Sequence, residues 1–456
     1  TVEANAGITT GNSGVAVGDI DNDGWPDIFL SGSGFFGSTR PQSQTVLLHN
    51  QGPDENGVVS FVDIAPSANV PGDGTALSAA FGDINNDGFV DLFVTAQGHL
   101  GFRSPAEQHV DKLYLNNGDL TFTDITVSAG VDGDEGSCVT TFSHFNDDGF
   151  IDLFVGVCNE VQFRPTPWYV YVNNGDNTFT DVAPTTQLDL PGYWMSSAFG
   201  DIDNDGDFDI FSTNLGGSAL HKLWRNNGDG TYVSIASDEM ANNFWAWGAT
   251  FADFDNDGFQ DLFYGGEASA PFGRGGEGYL FWNNGDSRFT LDQEAWQPAL
   301  EGKPGGANLA NKGATGLGKA DYDGDGFVDL LVMTAEVFRE GETVDVGAVL
   351  LRNEGNGNNS VTISLEGDSD HPTAPSNRMA IGARIEIVDN NGMFQAREIW
   401  AGSSFVSSES QWPVFGLGTG VSADATVYWP SGRAEMFTGL NEGRRHHLVE
   451  GTGTTL

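Results

Sequence analysis

The sequence predicts an all-β protein built from repeated four-stranded units, and three observations carry that prediction. One acidic loop recurs six times, an Asn-Gly turn recurs behind it, and 63 glycines accompany few helical patterns. Loops begin at residues 19, 83, 144, 201, 253 and 321, a spacing near sixty. That period suits a four-stranded propeller blade with one long loop. We expect seven blades, with a small C-terminal β module completing or replacing the last. The alternative is six blades and a separate module. The expected boundaries are 1–359 for the repeats and 360–456 for the module.

The loop is clearest at Asp201-Ile-Asp203-Asn-Asp205-Gly206-Asp-Phe-Asp209. It recurs as Asp19-Ile-Asp21-Asn-Asp23-Gly24-Trp-Pro-Asp27, Asp253-Phe-Asp255-Asn-Asp257-Gly258-Phe-Gln-Asp261 and Asp321-Tyr-Asp323-Gly-Asp325-Gly326-Phe-Val-Asp329. A fifth copy carries one Asn: Asp83-Ile-Asn85-Asn-Asp87-Gly88-Phe-Val-Asp91. The third in chain order is degraded, His144-Phe-Asn146-Asp-Asp148-Gly149-Phe-Ile-Asp152, so its metal ligands reduce to Asn146, Asp148 and Asp152. Carboxylates at positions 1, 3 and 5, a turn glycine and a carboxylate at position 9 put hard oxygens on one side of a bend. Ca²⁺ takes six to eight such oxygens, so about five to six ions are expected. An EF-hand is excluded: position 12 is Leu30, Val94, Ser212, Tyr264 or Val332, and β-type runs such as Asp91-Leu-Phe-Val94 follow. The bland alternative is an acidic hairpin turn without metal, in which the carboxylates would repel one another.

After each loop come a strand, a variable stretch and a third strand ending in a turn. The turn is explicit at Asn116-Asn117-Gly118, Asn173-Asn174-Gly175, Asn226-Asn227-Gly228 and Asn283-Asn284-Gly285. A fourth strand such as Thr121-Phe-Thr-Asp124 follows. Antiparallel order puts the acidic loops and Asn-Gly turns on one face. The long loops and the links between blades fall on the other. Five of the 19 basic residues lie in those long loops: Arg40, Arg103, Arg164, Arg274 and Arg339. Beside them or on the linking segments are phenylalanines and Trp194, Trp245 and Trp247. One reading is an Arg–aromatic funnel for an anionic or sugar-like ligand; the other is that each Arg merely orders its own loop.

The formal charge of −45 argues against broad contact with nucleic acid or an anionic membrane. Six bound Ca²⁺ would leave about −33. No apolar run approaches the length of a membrane helix. The start at Thr1 reads as that of a processed, exported chain. Cys138 and Cys158 sit ten residues either side of Asp148. In a hairpin centred on that loop they would face each other, either as a disulfide or as two buried thiols; a disulfide fits export.

From about Ser360 the repeat grammar stops and short strands follow. His446-His447 does not read as a metal pair, because neighbours on a strand point to opposite faces. No nucleophile elbow, zinc-protease helix or phosphate loop is present, so the chain reads as a non-enzyme.

With their Phe81-Gly-Asp83 and Phe199-Gly-Asp201 lead-ins, residues 11–355 resemble FG-GAP/VCBS repeats, the units of integrin-α-like β-propellers. The tail resembles an ASPIC/UnbV domain at Ser376-Asn-Arg378, Ile381-Gly-Ala-Arg384, Ala401-Gly-Ser-Ser404, Phe415-Gly-Leu-Gly418 and Trp429-Pro-Ser-Gly432. The whole is similar to secreted CRTAC-like proteins. That resemblance implies an extracellular or cell-surface calcium-binding propeller acting in adhesion or matrix contact. The partner would be an extracellular protein, a glycan or the chain itself. A self-assembling filament or surface-layer subunit, and a polysaccharide-acting enzyme using the long-loop face, are the competing functions. Residues Glu3–Ile8 resemble the end of a fourth strand, as in Thr126–Val131, which suggests that the chain start helps to close the ring.

Overall fold

Six repeats make six antiparallel sheets, because each repeat alternates extended apolar runs with turns that reverse the chain. The computed structural model describes residues 14–32, 45–72, 76–96, 110–133, 136–146, 148–158, 166–214, 220–241, 246–266, 278–292, 313–335 and 347–456. Sheet one holds Val15–Gly18, Asp27–Leu30, Val46–Pro53 and Val59–Asp63 in sequence order. Sheet two holds Ala76–Gly82, Asp91–Ala96, Lys112–Asn116 and Phe122–Asp124. Sheets three, four and five repeat the order, starting at Ser137–Ser143, Ala198–Gly200 and Ala246–Ala252. Sheet six has three strands, Gly313–Ala320, Asp329–Ala335 and Gly347–Leu351.

The register is the same throughout. Phe93 pairs with Leu113, as Phe29 with Leu47, Phe154 with Val170, Phe211 with Leu223 and Phe263 with Leu280. These pairs face the next sheet. Phe93 and Leu113, for example, share a buried cluster with Phe142, Leu153 and Val155 of sheet three. Burying such a side chain contributes about 1.5–3 kcal/mol, which makes these seams the main store of stability.

Strands from Asn359 onward pair only with one another. Asn359–Glu366 lies between Val414–Gly418, antiparallel, and Arg444–Val449, parallel. A five-stranded sheet runs in the order Phe394–Glu398, Arg384–Asp389, Ser422–Tyr428, Ala434–Asn441, Thr454–Thr455. Among the described residues there are six blade-like sheets, and no strand of the module pairs with a strand of any of them. Glu3–Ile8 lies outside the described residues.

What the module does supply is an axis. Ser143 Oγ donates to Glu398, and the Trp400 indole N–H donates back to Ser143 Oγ. Phe81 N–H donates to the Ala401 carbonyl at 2.9 Å, and Ser404 N–H to the Ser197 carbonyl at 2.9 Å. Ala249 N–H meets Ser404 Oγ and Leu317 N–H meets Ser407 Oγ. Glu409 accepts from Thr250 and pairs with Lys319 at 2.8 Å, and Gln411 donates to the Val17 carbonyl. One fourteen-residue segment, 398–411, thus bonds at or beside the first strand of all six sheets. It can do so only if those strands surround it, and the sheets form a propeller-like ring about it.

The tip of this axial segment is apolar. Phe405 joins Leu77, Met195, Trp247 and the Cys138–Cys158 disulfide in one buried cluster, with Cα atoms of the two cysteines 5.6 Å apart. Where the segment passes sheet two there is no room for a side chain. A Cβ on Gly402, whose φ is 144°, would stand 2.7 Å from the Ala79 carbonyl oxygen and from the Ala80 Cβ. Gly402→Ala is predicted to cost about 1–3 kcal/mol, read as a lower melting temperature with the fold retained. A melting temperature equal to that of the parent would mean the axial segment is loosely held.

Candidate functional site

Loops one, two, four, five and six are bent at the same two positions. Position 4 takes a left-handed conformation, at Asn22, Asn86, Asn204 and Asn256 with φ of 56–59°, and in loop six at Gly324. The glycine at position 6 has φ between 86° and 100° in all six loops. Asn and Gly tolerate that region where other residues do not. The position-1 carboxylate then accepts the N–H groups of positions 5 and 6, as Asp19 does from Asp23 and Gly24.

The position-9 aspartate braces the unit. Asp27 takes N–H bonds from Ile20, at position 2 of its own loop, and from Asn50 on the third strand. The pattern repeats at Asp91, Asp152, Asp209, Asp261 and Asp329. These carboxylates are buried.

In loops one, four and five the carboxylates at positions 1, 3 and 9 bring oxygens within 4.8 Å of one another (Asp19, Asp21, Asp27; Asp201, Asp203, Asp209; Asp253, Asp255, Asp261). In loop six Asp321, Asp323 and Asp325 do so, with Arg352 bridging the last two. His49 lies 3.0 Å from Asp21. In loop two Asn85 stands at position 3 beside Asp83, Asp87 and Asp91, and its amide donates to Asp87.

The residues fit a cation. Burial raises the pKa of Asp19 to about 6, of Asp27, Asp83, Asp152 and Asp201 to about 7, and of Asp253 to about 8. Burial and neighbouring carboxylates push Asp91 and Asp261 well above the usual range. Asp203 Oδ1 is buried with no hydrogen-bond donor. Buried acceptors in excess of donors are what a hard metal ion relieves.

Loop three departs. His144 Nδ1 lies 3.0 Å from Glu398, whose side chain is fully buried. Burial opposes the charge on His144, but Glu398, Asp152 and Asp148 outweigh it and raise the pKa. A module carboxylate thus engages the residue standing where the other loops carry their first aspartate.

Neighbouring loops are stitched together. The position-4 amides of Asn22, Asn86, Asn204 and Asn256 donate to the glycine carbonyls of the following loops, Gly88, Gly149, Gly258 and Gly326. In return Asn116, Asn173, Asn283 and Asn353 donate to position-2 carbonyls of the preceding loops. Sheet four lacks this return bond: the Asn226 amide stays within its own sheet. There the module wedges in Trp400, 6.0 Å from Phe199 and 5.6 Å from Phe208.

The module covers every loop. Arg378 N–H donates to Asn22 Oδ1, and Pro375, Gly382, Arg384 and Met393 abut loops two to five. Ser360 Oγ donates to Gly326 of loop six. Arg397 is buried beside Asp201 and Asp253; burial lowers its pKa to about 10, and the two carboxylates pull the other way. It remains a cation at neutral pH. Sequence reading missed Glu398 and Arg397, since nothing local ties them to loops some 150–250 residues earlier.

Residues 144–212 and 214–264 match the FG-GAP-like repeat family, and residues 373–455 match the ASPIC and UnbV family. The chain carries FG-GAP-like repeats and an ASPIC and UnbV domain. Cartilage acidic protein 1 of Homo sapiens is 25% identical over 428 residues, which cover 92% of this chain and 60% of that protein. The Xenopus tropicalis protein of the same name is 24% identical, with 92% and 61% covered. The chain therefore spans about three-fifths of the length of these relatives. Among solved structures, exotype rhamnogalacturonan lyase YesX aligns with a TM-score of 0.39 and 13% identity, over 97% of this chain and 74% of that one.

The FG-GAP loops and the Asn-Gly turns lie together, as antiparallel order requires: the Asn117-Gly118 turn sits against Phe89 of loop two. The expected ligand funnel on the opposite face is corrected in part. Trp194 is fully buried between Trp168 and Trp224, at 6.4 and 5.1 Å. Trp247 packs with its ring 5.2 Å from that of Phe405 of the ASPIC and UnbV module, tilted by 53°. Both are core, so neither is open to a ligand. Arg40, Arg103, Arg164, Arg274, Arg339 and Trp245 lie outside the described residues. His446 and His447 turn to different partners, the Asn441 carbonyl and Glu366, as their strand positions require.

The raised carboxyls give a pH test. Their unfolded value is 3.8. Each favours the fold while protonated, below about pH 4, and that contribution is lost as pH climbs through 6 to 8. The chelated protein is predicted to melt at falling temperature from pH 5 to pH 8, while metal-loaded protein holds steady. A chelated melting temperature that rose over that range would contradict the burial of these groups as carboxylates.

Proposed function

We propose that the chain is a secreted, calcium-binding, non-enzymatic protein of adhesion or extracellular-matrix contact, in which Ca²⁺ is structural. The observation that carries this reading is the recurring set of loop aspartates under the module, whose carboxylate oxygens converge within 4.8 Å in four loops, with Asp203 Oδ1 buried without a donor. All-oxygen ligands of mixed carboxylate and amide type suit Ca²⁺ better than a soft metal. In loops one, two, four, five and six the residues at positions 1, 3, 5 and 9 would hold it. The ion supplies positive charge that pins each hairpin and removes repulsion. Arg397 adds a fixed charge between loops four and five.

Export is supported by the Cys138–Cys158 disulfide and by the likeness to cartilage acidic proteins. Among the described residues no helix is long and apolar enough to cross a membrane. The binding partner would be an extracellular protein or a glycan, met on the face opposite the acidic loops.

Thermal melting with and without EDTA, run beside a calcium count and a screen of anionic and neutral glycans, tests this. A ligand at one hundred times its dissociation constant adds about 2.7 kcal/mol per site. Several such sites should move the melting temperature by roughly 10 °C or more. An EDTA-insensitive melt would end the structural-calcium reading. A full shift without any glycan or matrix-protein hit would end the adhesion half alone.

A further inference from the structure

Among the described residues sheet six stops one strand short, and the strand next in sequence lies elsewhere. In each other sheet an aromatic residue of the fourth strand stands opposite a third-strand asparagine: Asn50 with Phe61, Asn116 with Phe122, Asn173 with Phe179, Asn226 with Tyr232, Asn283 with Phe289. Asn353 begins the same turn, its Oδ1 accepting the Gly355 N–H as Asn116 accepts that of Gly118. The strand that follows, Asn359–Glu366, is drawn into the module instead. No strand among the described residues pairs with the outer side of Ala348–Leu351.

The face of sheet six is also uncovered. Leu331 pairs with Leu350, the sixth instance of the Phe93–Leu113 register. The five equivalent pairs are buried against the next sheet, whereas Leu331 and Leu350 are 41% and 49% exposed. Met333 and Tyr322 on that face are exposed as well, at 44% and 51%. A cavity of about 610 Å³ opens there, between Leu331, Leu350 and Tyr322 on one side and Val17 and Pro26 of sheet one on the other. This surface continues an interface the ring already uses five times.

We propose that this slot docks an extended segment of another protein, which adds to sheet six as its fourth strand. Its backbone pairs with Ala348–Leu351, an aromatic side chain sits opposite Asn353, and apolar side chains cover Leu350 and Leu331. Charge selects the occupant. The chain carries −45, and the slot is lined by four carboxylates, Asp19, Asp329, Glu366 and Glu409, against two cations, Lys319 and Arg378. The docking strand is therefore apolar in its centre and basic at its ends, and a second copy of this chain is repelled.

The test uses a labelled peptide that repeats Thr121–Thr123 between terminal lysines, titrated into the intact protein with calcium present. Micromolar binding is expected, weakening with salt. Leu350→Asp should weaken it roughly ten-fold or more without changing the melting temperature, because the side chain is exposed. Equal binding of a glutamate-ended peptide, or equal binding by Leu350→Asp, would overturn the proposal. Binding seen only after deletion of residues 1–13 would overturn it in favour of the chain's own N-terminal segment. A calcium-loaded dimer in sedimentation that Leu350→Asp dissociates would do so in favour of a second copy.

Discussion

The structure depends on keeping aspartates buried at the ends of hairpins. The position-9 carboxylate holds both the loop's second N–H and the third strand's asparagine N–H. Without it the loop and the strand beside it would leave two donors unpaired in the interior, each costing about 1–3 kcal/mol. Burial that makes the brace strong also makes the charge expensive. The first and third carboxylates of the loop then close round the same small volume, so one site serves backbone satisfaction and cation capture together. Hairpin geometry and metal affinity cannot be tuned separately in such a loop.

The ring is not uniform, and the module accounts for where it departs. Reciprocal asparagine bonds tie sheets one to three, and again four to six. Between the third and fourth sheets the return bond is replaced by Trp400, Glu398 and Arg384. The degraded loop lies at that same place. A histidine there would be a poor metal ligand among carboxylates, but it suits a site whose partner is a glutamate from elsewhere in the chain. Loss of the first aspartate and insertion of the module are two sides of one arrangement.

Much of this was legible in the residues. Alternating aspartates and the turn glycine announce oxygen ligands. The Asn-Gly turns fix which loops share a face, and the cysteine spacing about Asp148 matches two strands of one hairpin. What local pattern could not carry was contact between distant segments. Asn359–Glu366 follows the Asn353–Gly355 turn, where the other sheets have their fourth strand, yet it pairs within the module, on the side of the boundary where the repeat grammar stops. Trp194 sits in a linking segment and Trp247 at the start of a first strand, where sequence cannot separate a surface ring from one packed against the next sheet or against Phe405, 158 residues further on. The repeated first asparagine of each turn signalled a hairpin, while its second role, donating to the preceding loop, shows only when two sheets are side by side.

The axial segment has a consequence for how the molecule is made. Its residues leave the ribosome some 320 positions after the sheet-two strand they touch, which at ordinary rates of synthesis is a delay of about 20–60 s. Until then six first strands surround an empty centre, with Leu77, Met195 and Trp247 lining it. The ring therefore matures in one late step, like an arch that stands only when its keystone drops in. A chain cut short before Phe405 leaves Leu77, Met195 and Trp247 without their apolar partner, surface that chaperones and proteases act on.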